Sequence, residues 1–152
     1  MAPHATITAS ARIAASPQRV YAIIADYRDG HPRILPKEFS GLTVEQGGVG
    51  AGTIIRFQMN VFGMTQKFRG MVTEPEPGRV LVETYLEGNG GVTTFTVDPD
   101  TNVGGSEVTI STELPVKAGL FGAIERAISV SYLRSIYVRE LALLKSCAES
   151  QA

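Results

Sequence analysis

Apolar positions recur every second residue from about residue 38 to 115, in six runs near 39–46, 53–62, 64–73, 79–87, 92–98 and 106–114, each bounded by Gly, Pro, Asn or Asp. The breaks between them, Gly47 to Gly52, Phe62-Gly63, Pro75 to Gly78, Gly88 to Gly91 and Pro99 to Gly105, are too short for helical crossovers. The runs therefore predict an antiparallel meander over 38–115. Ahead of it, residues 5–14 (ATITASARIA) alternate in the same way and predict a further strand. Ser16-Pro17 then supplies an N-cap followed by proline at the first helical position. Val20, Tyr21, Ile23, Ile24 and Tyr27 make one apolar stripe, and Arg28-Asp29-Gly30 ends that helix before a short turn at His31 to Pro36, so a helical pair is expected over 17–35. After Lys117-Ala118-Gly119, residues 120–148 carry no Pro and no Gly beyond Gly122. A helix of that length is on the order of 40 Å long and crosses a whole sheet. No repeat, low-complexity block or long linker divides the chain, so one α+β domain is read over 1–152.

Alternation also sorts the two faces of each strand. Ile55, Phe57, Met59 and Val61 oppose Arg56, Gln58 and Asn60; Phe68 and Val72 oppose Lys67, Arg69 and Thr73. Thr93, Phe95 and Val97 oppose Thr94 and Thr96, and Val108, Ile110, Thr112 and Leu114 oppose Glu107, Thr109, Ser111 and Glu113. In each case the first set is expected to face inward. In the run 79–87, Val80, Val82, Thr84 and Leu86 are assigned inward and Glu83 and Tyr85 outward. The opposite register would bury a carboxylate beside a phenol, a general-base candidate with a raised pKa. On the long helix, steps of roughly 100° per residue gather Ala123, Ala127, Val130, Tyr137, Val138, Leu141 and Leu144 on one side. The small Ala127, Ser131 and Ser135 leave room for a guest, Leu141 and Leu144 read as closed core, and Arg134 either reaches an anionic group or snorkels to the rim, the rim being preferred.

Composition narrows the function classes. With 14 Lys and Arg against 15 Asp and Glu, no net field favours nucleic acid or an anionic membrane. No window approaches the roughly 18 continuous apolar residues of a membrane span, and the first residues lack the pattern of a secretory signal. Cys147 is the single cysteine, which excludes an internal disulfide and suits a reducing cytoplasm. The only histidines are His4, at the terminus, and His31, in the turn after the first helix, where a structural role or a place at the cavity mouth is expected. No metal site and no cofactor are expected. The run GGVGAG lacks a following Gly-Lys-Ser/Thr and leads into a strand, so it reads as a flexible hairpin loop and not as a phosphate cradle.

The order of elements, with DYRDGHPRILP after the first helix, GVGAGTIIRF opening a strand, EPEPGRVLVET at a hairpin and TTFTV before VTISTEL, resembles the START-like (SRPBCC) superfamily and its polyketide cyclase/dehydrase group over nearly the whole chain. The resemblance implies a helix-grip fold, a curved seven-stranded antiparallel sheet wrapped around the C-terminal helix, with a cavity for lipids, hormones, polyketides or similar hydrophobic molecules. Members range from carriers and receptors to aromatases and cyclases, so fold and pocket carry over further than activity.

Three functions follow as expectations. The first is binding or carriage of a small hydrophobic ligand (lipid, polyketide or isoprenoid-like), lined by Ile55, Phe57, Met59, Phe68, Val82, Phe95, Val97, Ile110, Ala127, Val130, Ser131, Arg134, Tyr137 and Val138. The second is a cyclase, aromatase or dehydratase that orients its substrate in the same cavity, with Glu83, Tyr85, Arg134 and Tyr137 as the groups that move protons. The third is an interaction module with a vestigial pocket, using Val61-Phe62 and Leu120-Phe121 at the mouth. The expected state is a cytoplasmic monomer or homodimer.

Overall fold

The computed structural model describes residues 4–61, 63–86, 90–102, 104–115 and 120–150; of residues 4 and 120–129 it describes the backbone alone. Ser16 caps the first helix, α1 (Pro17–Ala25): its backbone is extended and its hydroxyl accepts the Arg19 amide at 3.2 Å. The helix ends at Asp26, whose Oδ1 accepts the amides of Arg28 and Asp29 at 3.0 and 3.1 Å. A 3-10 turn, His31–Ile34, follows. Gly30 lets it double back, since a Cβ there would lie 2.4 Å from the Ile23 carbonyl oxygen. The helical pair expected over 17–35 is thus one helix and one short turn, separated by residues 26–30.

Seven strands, β1 (His4–Ile13), β2 (Phe39–Gln46), β3 (Ile54–Val61), β4 (Met64–Glu76), β5 (Val80–Tyr85), β6 (Val92–Asp100) and β7 (Gly105–Pro115), form one antiparallel sheet in the order β1-β7-β6-β5-β4-β3-β2. The meander runs in chain order, and the N-terminal strand adds to its last member. Register slips between Ser40 and Thr43, Val44 and Gln46, and Thr73 and Glu76 put extra residues into β2 and β4. Such bulges raise the local twist and bend a strand, which curls this half of the sheet. The long helix, α2 (Leu120–Glu149), lies along β1 and against the 3-10 turn.

Among the described side chains of α2, the buried ones are Ile136, Tyr137, Glu140, Leu141, Leu144 and Ala148, a stripe at helical spacing. Leu141 and Leu144 join Ile7, Ile13, Val20, Ile24, Val108 and Ile110 in a closed core. Val138 does not belong to the stripe: it is 54% exposed, because one residue beyond Tyr137 turns the side chain roughly 100° away. The run GGVGAG joins β2 to β3 but is pinned: Gly48 and Ala25 carbonyls accept the amides of Tyr27 and Gly50 at 2.8 and 3.0 Å, and Glu74 accepts the Ala51 amide at 2.7 Å.

The register of β5 is the reverse of that expected. Cross-strand pairing sets Glu83 opposite Val72 on β4 and Thr93 on β6, Thr93 opposite Thr112 on β7, and Thr112 opposite Ile7 on β1. Residues directly opposite share a face, so this row crosses the concave side together. Leu81 and Glu83 are buried, whereas Val80 and Val82 are only half-buried, on the other face. Apolar patterning misplaces this strand because valine also suits a half-covered outer face, while the Glu83 carboxylate is solvated internally by hydroxyls.

Candidate functional site

Sheet and helix do not meet everywhere. Between them lies a cavity of about 260 Å³ whose half-buried rim includes Leu42, Val61, Gln66 and Leu114 and whose buried interior includes His31, Glu83, Thr93, Phe95, Thr112 and Glu140. The β2–β4 side is a connected aromatic surface. Phe57 stacks on Phe68 with centroids 5.1 Å apart, and Phe39 and Tyr85 approach Phe57 at 5.8 and 6.0 Å. The phenylalanine rings bind apolar matter without hydrogen-bonding preference, and Tyr85 joins them through its ring while its hydroxyl turns to Glu83 and Thr93.

The opposite side is a polar chain. Tyr27 donates its hydroxyl to Glu83 Oε2 at 2.5 Å and Tyr85 donates to Oε1 at 3.0 Å. Tyr85 also lies 2.7 Å from the Thr93 hydroxyl, Thr93 2.8 Å from Thr112, and Thr112 2.7 Å from Tyr137. Each hydroxyl owns one hydrogen. With Tyr85 donating to Glu83, Thr93 must donate to Tyr85, Thr112 to Thr93, and Tyr137 to Thr112, so every hydrogen points toward the Glu83 carboxyl. Burial, with the nearby Glu83 charge, pushes the Tyr27 and Tyr85 phenols well above their ordinary value, and burial does the same for Tyr137. They act as donors, not as phenolate bases.

His31 is buried, not at the mouth. Its ring stacks on Tyr27 at 4.4 Å and meets the edge of Phe95 at 5.6 Å. Nδ1 lies 2.8 Å from the Ile24 carbonyl oxygen, which can only accept, so Nδ1 donates there. Nε2 then faces Glu83 Oε2 at 3.8 Å, close enough for an ion pair when the ring is doubly protonated.

Of the residues singled out by sequence, Ile55, Phe57, Met59, Phe68, Glu83, Tyr85, Phe95 and Tyr137 line the cavity. Val97 and Ile110 are buried but pack away from it, and Val130 is half-buried against the core. Val82 lies on the outer face with β5 reversed, and Ser131, Arg134 and Val138 are exposed on the outer side of α2. The side chains of Ala123, Ala127, Leu120 and Phe121, and Phe62 altogether, lie outside the described residues. Glu140 was missed. It lines the cavity from α2 at 3% exposure, and burial first, then the Glu83 charge, raises its carboxyl well above the ordinary 4.5. Its signal was a charge spaced three residues after Tyr137 and four before Leu144, on the apolar stripe.

Among the described residues, no group of three or more His, Cys, Asp or Glu side chains is placed to hold a metal ion, and no helix is long and apolar enough to cross a membrane. The chain is similar to the KanY protein (ms6282), at 27% identity over 97% of this chain and 99% of that one, with a TM-score of 0.85. A START superfamily protein from Mycobacterium smegmatis shares the fold at 16% identity, covering 99% and 100% of the two chains, TM-score 0.74. So does the Zhui aromatase/cyclase from Streptomyces sp. R1128, at 16% identity over 97% and 94%, TM-score 0.76. No curated protein matches the chain. The model of the family described as polyketide cyclase / dehydrase and lipid transport matches residues 4–149, and with the seven-stranded sheet gripping α2 this chain belongs to that family.

Proposed function

We propose that the protein binds a small, mostly apolar molecule, of lipid, polyketide or isoprenoid type, in the cavity between sheet and helix. The observation that carries this reading is the unfilled interior of about 260 Å³ faced by Phe39, Phe57, Met59 and Phe68. Interiors are normally close-packed, and a void of this size amid aromatic side chains loses dispersion contacts that a guest restores. Nearly balanced charge supports a small-molecule partner over nucleic acid, and a lone cysteine supports a reducing cytoplasm as the compartment, with a monomer or homodimer as the working assembly. Native mass spectrometry of gently purified protein, together with displacement of a fluorescent apolar probe, tests the reading. Copurified ligand or saturable probe uptake supports it; protein that arrives empty and takes up no probe overturns it.

A second reading, cyclisation or dehydration of an oriented carbonyl chain, is favoured by the two carboxyl groups, Glu83 and Glu140, at the inner end of the cavity. One is held as an acceptor by two phenols and the other is pushed toward its protonated form, the separation that acid and base partners need. Turnover of a poly-β-carbonyl substrate that is lost in both Glu83→Gln and Glu140→Gln supports it; unchanged turnover in both variants removes its basis.

A further inference from the structure

We propose that the Glu140 carboxyl is the donor at the inner end of the cavity that selects ligands carrying an acceptor oxygen, a ketone or similar uncharged group, at their buried end. The inference rests on the ligand-binding reading above and names the residue that reads the ligand's polar atom. Every hydroxyl hydrogen of Tyr27, Tyr85, Thr93, Thr112 and Tyr137 is committed along the chain that ends on Glu83. The Glu140 carboxyl, buried and lining the same cavity, has no hydrogen-bond or ion-pair partner among the described residues. Its neighbour in the chain, Arg139, is bound by both oxygens of Glu38 at 3.0 and 2.7 Å and does not serve it.

An unpartnered buried carboxylate is costly, and the groups around this one offer it no fixed cation. Glu83 on β5, Tyr27 after α1 and Tyr137 on its own helix are near enough to interact with it electrostatically, and Tyr85, Thr93, Thr112 and His31 line the same cavity from β5, β6, β7 and the 3-10 turn. Of these only His31 can become cationic, and its Nε2 faces Glu83. Burial and the Glu83 charge thus favour the protonated form of Glu140, whose O–H has no hydrogen-bond partner among the described residues.

The test uses three bicyclic probes of similar shape, α-tetralone, its carbonyl-free parent tetralin and protonated aminotetralin, titrated calorimetrically into the full chain. The wild type is expected to bind the ketone about tenfold more tightly than the hydrocarbon, the effect of one buried hydrogen bond. Glu140→Gln, which keeps an N–H donor, retains most of that preference; Glu140→Leu abolishes it while tetralin still binds. Raising the pH erodes the preference in the wild type and leaves it level in Glu140→Gln, a readout that stands even where Glu140→Leu fails to fold. Equal binding of ketone and hydrocarbon by the wild type, or an unchanged preference in Glu140→Leu, overturns this inference and leaves the cavity reading intact. Protonated aminotetralin binding more tightly than the ketone overturns it in favour of a cation site. Binding of neither probe overturns it together with the cavity reading.

Discussion

The two walls of the cavity are built on different principles. On the β2–β4 side, Phe39, Phe57 and Phe68 touch through their faces and edges, and what holds them is contact area. On the β5–β7 and α2 side, Glu83, Tyr85, Thr93, Thr112 and Tyr137, backed by Tyr27 behind Glu83, are held by directed bonds that leave little freedom to any one of them. Area is forgiving and direction is not. A ligand can slide along the aromatic wall, whereas the polar wall fixes which end of it lies deepest.

Substitutions can break that contrast. Phe57→Ala removes the ring shared by the aromatic contacts and is expected to cost about 3 kcal/mol in stability, the low end for a buried phenylalanine because a void already adjoins it. Denaturant titration reads the loss, and uptake of every apolar probe should fall together; selective loss of one probe class would show the two walls are not independent. Tyr27→Phe deletes one donor to Glu83 and should cost roughly 2 kcal/mol, since a buried acceptor loses one of its two phenol partners. Tetralin affinity should be unchanged in that variant.

pH sharpens the contrast further. Folded Glu140 keeps a proton that the unfolded chain releases near the ordinary 4.5, so its contribution to stability is complete below that value and declines as pH rises toward the raised folded value. Glu38 works in the opposite sense: hydrogen bonds from Arg139 lower its carboxyl, so its contribution is present above 4.5 and lost as pH falls through the lowered value. Urea midpoints between about pH 5 and 8 should therefore decline less steeply in Glu140→Gln than in the wild type, and equal slopes would exclude a buried acid at this position. Arg134→Ala has the smallest effect, within about 0.5 kcal/mol and without change in probe affinity, because its side chain points to solvent from the outer side of α2.

Elements and aromatic wall were legible because both follow from period and turn chemistry. Ser16-Pro17 announces α1, the short breaks dictate the meander, and Ile55, Phe57 and Met59 alternate cleanly with polar partners. The polar wall was not legible from the same signals. In β5 both alternating sets contain an apolar member, Val82 against Leu81, and what decides is pairing to Thr93 and Val72, a register that no single strand encodes. His31 and Glu140 were underread for a related reason: patterning treats a charge as solvent-facing, whereas here hydroxyl, ring and carboxyl groups from separate elements solvate one another.

Tyr27 joins two places that look unrelated. Its amide is anchored to the Gly48 carbonyl in the glycine-rich connection between β2 and β3, and its phenol ends on Glu83. A change in that connection that shifts the Gly48 carbonyl therefore bears on the position of the phenol that holds Glu83. A substitution in the glycine-rich connection can thus disturb the Glu83 bonds with every cavity-lining residue left as it was.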